Sequence, residues 1–486
     1  MTEKTNVLIL FSDEHRHNAM GCAGHALVKT PHLDRLASNG TRFTRAYTPS
    51  PICVPARASL ATGQYVHKNR CWSNAQAYQG EPVSWGHQLM RQGHRVGSIG
   101  KLHYRGNEYD NGFGEEILPM YIRDGEGWIK GLLRDHEAVL DVSAYTSEIG
   151  PGENSYTDYD LEVTRHACTW LKDAASAKSD KPWTLFVSWL RPHYPLICPE
   201  AFYHLYPLEE MDEARFRSQQ ELPQHPVTQI IRRAFNYDER FDDQTRQIAR
   251  ASYYGLCSFL DAQVGAVMNV LEQTGQADNT LVIYTSDHGD HNGDRRMWTK
   301  MSLYDESARI PMLIQGPDIP KAKTIDTLAS LVDIYPTVLQ AVEAEDDEID
   351  RPGLSLHSLI DGAGTDRGVL SEYHDGGSPV GMFMWRKDQW KYNCYPGYAP
   401  ELFDLAADPD ELCDLSQDPA YSQDLKRCQI DMGALLDPIA ANDLAFADQS
   451  ERISQLGGVE AILASEEFDH TPTPSGQPNS TPLDLK

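Results

Sequence analysis

Cys53 and Arg57 stand four residues apart in Cys53-Val54-Pro55-Ala56-Arg57, and the run continues through Ala58-Ser59-Leu60-Ala61-Thr62-Gly63. Pro55 suits the first position of a helix, where its missing N–H costs nothing. Gly63 suits the residue that ends one, in the left-handed conformation. Cys53 then sits just before a short helix, at the end where backbone N–H groups point outward and the helix dipole favours an anion. From four residues on, the Arg57 guanidinium can turn back to the same spot as a bidentate oxyanion clamp. The spacing thus gathers a nucleophile precursor, an anion-binding helix end and an arginine fork. Lys101 and His103 form a second pair, and an extended backbone directs residues two apart to one side.

The other reactive side chains follow apolar runs. Residues 7–12 lead into Asp13-Glu14-His15, and residues 95–99 lead into Gly100-Lys101-Leu102-His103. Residues 183–190 end in Arg191-Pro192-His193, and residues 281–285 end in Ser286-Asp287-His288-Gly289. Open α/β sheets place ligands at such C-terminal strand ends. Helical patterns fall between the runs, at residues 33–39, 83–91, 158–177, 245–273 and 331–342. Residues 41–48 alternate as a strand, and 310–315 form another. The alternation predicts a large mixed, mostly parallel sheet covered by helices on both faces. Residues 104–157 and 195–243 lack periodicity and read as excursions over the site. Near residue 365 the pattern turns to antiparallel strands. The expected organisation is a catalytic α/β unit over 1–365, a smaller α+β unit over 366–440, and a helix with a tail over 441–486.

The chain has 486 residues, 40% hydrophobic and 23% charged, as in ordinary globular proteins. Its net charge of −28 repels nucleic acid and anionic membranes, and argues for a small substrate over a sulfated polyanion. No apolar run is long enough to span a membrane. The apolar run at residues 6–11 is too short for a signal peptide and reads as a buried strand. Nine cysteines without CxxC pairs read as reduced thiols. The expected compartment is the cytoplasm.

Cys-x-Pro-x-Arg followed by Thr62-Gly63 resembles the signature of the type I sulfatases of the alkaline-phosphatase-like superfamily. Six matches in order, over residues 13 to 311, carry the resemblance. It implies that Cys53 is oxidised to formylglycine by a formylglycine-generating enzyme. It implies one divalent metal held by Asp13, the modified Cys53, Asp287 and His288. Hard carboxylate oxygens suit Ca²⁺ or Mg²⁺, an imidazole broadens this toward Mn²⁺, and calcium is the usual family metal. Many members carry Asp-Asp at the first strand end, where this chain has Asp13-Glu14, so Glu14 is an optional ligand. By the same resemblance, Lys101 and His103 would hold the formylglycine and a sulfate oxygen. His193 would bind the ester and could protonate the leaving oxygen. Lys300, thirteen residues after Asp287, matches the family lysine.

The resemblance is closest to the choline-sulfatase-like branch and the cytoplasmic arylsulfatases. It implies a small aryl, alkyl or choline sulfate as substrate. Trp128 and Glu372 are placed to receive a quaternary ammonium. The rival within the superfamily is a phosphonate monoester or phosphodiester hydrolase, which typically has uncharged residues where this chain has Lys101 and His103. A non-catalytic relative would be expected to have lost Cys53, Arg57 or Asp287. Ile453, Leu456, Val459, Ile462 and Leu463 fall at helical spacing. With the Pro-rich stretch after Thr471, this stripe suggests a homo-oligomer whose tail docks on a neighbouring subunit and helps close the site.

Overall fold

The computed structural model describes residues 5–134, 144–177, 179–211, 222–346, 350–466 and 470–474. The main sheet has eight strands. They are β1 (Asn6–Asp13), β2 (Thr41–Phe43), β3 (Arg95–Lys101), β4 (Glu115–Met120), β5 (Trp183–Pro192), β6 (Thr280–Ser286), β7 (Met312–Gln315) and β8 (Lys323–Ile325). Their spatial order is β8-β2-β7-β6-β1-β5-β3-β4. From β6 to β4 every neighbour is parallel, so the C-terminal ends of β1, β3, β5 and β6 open on one edge. β7 runs antiparallel to both β6 and β2.

Strand β1 shows why both faces are covered. Val7, Ile9 and Phe11 point to one face, into a core completed by Ile334, Val338 and Val342. Leu8 and Leu10 point to the other, against Val163, Leu171, Leu260 and Val264. A strand buried on both faces reads as a continuous apolar run rather than an alternation. The covering helices include α1 (Cys53–Thr62), α2 (Ser155–Ser176), α3 (Asp243–Gln273) and α4 (Ile334–Val342). Asn154 caps α2 by accepting from the Tyr156 N–H, and Asp242 caps α3 by accepting from Thr245 N–H.

A four-stranded antiparallel sheet follows: β9 (Gly368–Tyr373), β10 (Met382–Lys387), β11 (Trp390–Cys394) and β12 (Glu401–Asp404). Its own core holds Leu370, Phe383, Trp390, Leu402 and Met432. Among the described residues no helix is long and apolar enough to cross a membrane.

Four sequence expectations differ from the structure. Residues 104–157 are not only a surface excursion, because β4 joins the sheet at its edge. An edge strand pairs on one side only and tolerates Pro119, so it lacks a strong apolar run. Residues 195–243 include the helix Pro226–Phe235, and both excursions also contain stretches outside the described residues. The single helix expected within 441–486 is two among the described residues: α5 (Pro438–Gln455), which crosses the 440/441 boundary, and Val459–Ala464. The apolar stripe is not one buried face, since Ile462 is 1% exposed while Val459 and Leu463 are 37% and 44% exposed.

Candidate active site

Helix α1 begins at Cys53, with Ile52 extended before it, and Gly63 ends it at φ 66° with its N–H on Ser59 C=O. Pro55 is its third residue, still within the turn whose N–H groups need no helical partner. Asn74 Oδ1 accepts the Val54 N–H at 3.1 Å. Every residue of the helix is buried, so Cys53 is delivered to the interior at the strand ends.

Arg57 departs from the expected oxyanion clamp. Its Nε donates to Asp287 Oδ2 and one Nη to Asp13 Oδ2, both at 2.9 Å. The other Nη donates to Lys101 C=O at 2.8 Å and Ser188 Oγ at 3.0 Å. Four of its N–H bonds are thus spent on protein acceptors. The guanidinium cross-braces the two strand-end aspartates instead of facing a substrate, because those buried carboxylates are the strongest acceptors it meets.

Asp13, Cys53, Asp287 and His288 bring one ligand atom each to within 4.8 Å of one another, all fully buried. Cys53 Sγ is 3.2 Å from His288 Nε2 and 3.7 Å from Asp13 Oδ1. His288 Nδ1 is 3.0 Å from Gly289 C=O, which sets the proton on Nδ1 and leaves Nε2 as a ligand lone pair. Two carboxylates and an imidazole fit one divalent cation, with an oxygen at position 53 completing a hard set. Glu14 lies outside this group, its backbone turned to φ 66°. Its Oε2 is 3.1 Å from Lys300 Nζ and 3.4 Å from His193 Nε2. With Asp13 and His193 it forms a second carboxylate–imidazole group, and the Lys300 ammonium stands at that group.

Lys101, the last residue of β3, reaches Asp13 Oδ2 at 2.6 Å. His103 is not on extended backbone, as expected from the spacing, but at φ 56°. It still reaches the site, as Lys101, Arg57, Lys300 and Asp13 all act on its charge. Burial, with Lys101 and Arg57, holds its pKa well below the usual histidine range. His193 is held neutral as well, by burial and by Lys300. Its Nδ1–H donates to Tyr194 C=O at 2.6 Å, and its Nε2 accepts from Lys300 Nζ at 2.8 Å. Burial works against the Lys300 ammonium, but Cys53, Glu14 and Asp13 outweigh it and raise its pKa. Burial also works against Asp13, and the Lys101 and Arg57 charges outweigh it and keep the carboxylate ionised. The Cys53 thiol is pushed up to about 11 by burial and by Asp13.

Lys300 owes its position to a strained loop. Asn292, Arg295, Arg296, Thr299 and Met301 all take positive φ between 49° and 80°. Such strain persists only where surroundings over-determine it. Arg295 pairs with Glu306 at 3.2 Å. Lys391 of β11 reaches Asp305 at 2.8 Å and Glu411 at 2.6 Å, which bolts the second sheet to this loop.

Several site residues gave no sequence signal. Ser188 orients Arg57, and Asp160 accepts the Leu190 and Arg191 N–H groups at 2.8 and 2.9 Å. Thr471 Oγ1 is 3.0 Å from His103 Nε2, and Tyr156 donates to Thr471 C=O at 2.7 Å. The described part of the tail therefore touches its own chain's site. Residues 475–486 lie outside the described residues. Glu372 Oε1 is engaged by His67 Nδ1 at 2.8 Å, and His374 Nε2 lies 3.5 Å from the other oxygen. Trp128 instead packs on Phe235 and beside Gly376.

His15, two residues beyond Asp13, gives a pH prediction. Its Nδ1 pairs with Tyr284 OH and its Nε2 with Ala19 C=O at 3.0 Å, an arrangement the neutral ring satisfies. Burial lowers its pKa to about 4. The unfolded chain therefore binds this proton from about pH 6.5 downward and the folded chain only near 4. The stability advantage of wild type over His15→Gln is full above pH 6.5 and shrinks as pH falls to 4, by roughly 3 kcal/mol. Urea unfolding of both proteins from pH 7 to 4 checks this. A constant gap would refute it, because other titrating groups cancel in the difference.

The comparisons with known proteins agree with this geometry. The model of the Sulfatase family matches residues 5–344, and that of the N-sulphoglucosamine sulphohydrolase C-terminal family matches 293–435. The chain is 31% identical to a choline-sulfatase of Rhizobium meliloti (strain 1021), over 93% of this chain and 90% of that one. It is 30% identical to arylsulfatase K of Bos taurus, over 85% and 78%. The fold superposes on phosphonate monoester hydrolase SpPMH from Silicibacter pomeroyi with TM-score 0.73, at 23% identity over 88% and 94%. With a family model over most of its length and a full-length relative above 30% identity, this chain belongs to the sulfatase family, on the alkaline-phosphatase-like fold.

Proposed function

We propose that the protein hydrolyses a sulfate monoester of a small alcohol to the alcohol and inorganic sulfate, with Cys53 carried as formylglycine. The carrying observation is the buried convergence of Asp13, Cys53, Asp287 and His288 with Lys101, His103, His193 and Lys300 around it. Asp13, Asp287 and His288 would hold one divalent ion, calcium foremost. When bound, the ion supplies Lewis acidity to the sulfuryl oxygens and to the nucleophile. An unmodified thiol with pKa near 11 is only about one part in 10⁴ thiolate at pH 7. It also lacks a second hydroxyl. The hydrated aldehyde of formylglycine has two, one to attack sulfur as the alcohol departs, the other to collapse to the aldehyde and expel sulfate.

The chain's own residues divide the remaining work. Arg57 fixes Asp13 and Asp287 and thereby the nucleophile. Lys101 and Lys300 place fixed positive charge on the sulfuryl oxygens. Lys300, kept protonated and hydrogen-bonded to neutral His193, is the proton source for the leaving oxygen, and His193 holds it in position. Neutral His103 is the base for the collapsing hydroxyl. Beyond Lys300 runs an aromatic wall. Lys300 Nζ lies 5.0 Å from the Tyr194 ring centroid, and Tyr194, Tyr145, Tyr237, Phe235 and Trp128 follow in successive contact. Such a wall suits an aryl ring or a quaternary ammonium. Both fit relatives named choline-sulfatase and arylsulfatase K.

A sulfate-release screen over aryl, alkyl and choline sulfates, with phosphonate and phosphodiester controls, tests the reading. Sulfate monoesters are expected to lead in kcat/KM, and a lead by phosphonates or phosphodiesters would move the enzyme to that class. Lys101→Ala is expected to lower kcat about 10²- to 10³-fold on the best sulfate. Wild-type turnover in that variant would remove Lys101 from the site.

A further inference from the structure

The two strand-end loops run past the active site into a second polar cavity. Arg16, two residues beyond Glu14, and Arg250 of α3 meet on Asp294, at 2.7 and 3.2 Å. Both arginines are more than nine-tenths buried, at 6% and 4% exposure. Arg16 Nη1 also donates to His291 C=O at 3.2 Å. Arg250 donates to Asn292 C=O at 3.0 Å and Tyr254 OH at 3.1 Å. Among the described residues, the Nε–H of each guanidinium has no acceptor. Glu306 acts on Arg16 from further away and is itself tied to Arg295 at 3.2 Å.

These side chains line a cavity of about 430 Å³ with Asn18, His25, Tyr254 and the backbone about Gly24. His25 Nδ1 accepts the Leu27 and Val28 N–H groups at 3.2 and 3.1 Å, so its ring proton is on Nε2. The lining residues thus present two guanidinium groups against one carboxylate, Asp294, with Glu306 and Asp290 acting on Arg16 from further away, in a chain whose net charge is −28. A buried cation calls for a paired anion, and forked N–H donors match tetrahedral oxyanions.

We propose that the Arg16–Arg250 cavity is a second oxyanion site, separate from the catalytic pocket, and that its occupant is inorganic sulfate. The choice of sulfate rests on the hydrolysis proposed above, whereas the binding itself does not. Arg16 shares a loop with Asp13, and Asp294 shares one with Asp287. Sulfate in the cavity therefore acts on both metal-bearing loops without competing with substrate.

Titration calorimetry of the intact protein with sodium sulfate, without substrate, tests this directly. Wild type is expected to show a binding event that Arg250→Gln weakens about tenfold or more. Arg250→Lys, which keeps the charge but loses the fork, is expected to fall between. Identical titrations of wild type and Arg250→Gln would overturn the proposal. So would sodium phosphate filling the site while sulfate does not. Wild-type kinetics give a second reading that needs no variant: added sulfate is expected to lower the apparent kcat as well as raise KM, and a purely competitive pattern would overturn the site. Because binding is read without turnover, an enzyme that fails the substrate screen leaves the calorimetric result standing.

Discussion

Replacing Cys53 with alanine is expected to reduce turnover by roughly 10⁴- to 10⁶-fold, the scale on which losing a covalent nucleophile is felt. The thiol is 1% exposed and lies at the first residue of α1, between His288 Nε2 and Asp13 Oδ1. Burial and the neighbouring carboxylate hold it protonated, which leaves little thiolate at neutral pH. In the proposed function a different group on the same carbon is the nucleophile. Mass spectrometry of the peptide containing residue 53 in an active preparation is expected to show a species lighter than the thiol form. Full activity with only cysteine at that position would end the formylglycine reading. The alanine variant should stay folded, since one small buried atom group is lost from a helix fixed at both ends by Asn74 and Gly63.

Asp287→Asn is expected to remove metal and turnover together, and stability with them. Asp287 Oδ1 accepts the Glu14 and His288 N–H groups at 3.1 and 2.9 Å, and Oδ2 takes Arg57 at 2.9 Å. One carboxylate thus serves as backbone staple between two strand ends and counter-charge for a buried guanidinium, and would also be a ligand of the proposed metal. Breaking a buried ion pair on one side typically costs about 3–5 kcal/mol, because the other charge is left unpaired. Asp13 also holds Arg57, so the measured loss should fall at the low end of that range. Metal analysis, turnover and thermal melting on one preparation separate these effects. A variant that keeps stoichiometric metal and wild-type kcat would show that Asp287 is not a ligand.

These results depend on residues that differ in how they could be known. Asp13, Lys101, His193 and Asp287 were legible because each follows an apolar run, and parallel strands bring such ends to one edge. Helix α1 was legible because Pro55 signals its first turn and Gly63 its end, although it starts two residues before the proline, at Cys53. Strand β4 was not, since an edge strand with Glu115, Glu116 and Pro119 carries little apolar pattern. Glu14 beside Asp13 gave the sequence no means to choose its direction. Its left-handed φ turns the carboxylate toward Lys300, a residue on a distant loop.

The sequence by itself therefore determined the inventory: which reactive groups exist, at which strand ends, and beside which helix start. These features are set by contacts within a few residues, which local pattern encodes. Tertiary structure alone decided how the groups share their bonds. Arg57 became a brace because Asp287, 230 residues away, and Ser188, 131 residues away, stand where its N–H groups point. Thr471 reached His103 across 368 residues of chain. A guanidinium or a hydroxyl bonds to whatever acceptor packing brings near, and no spacing along the chain specifies that neighbour.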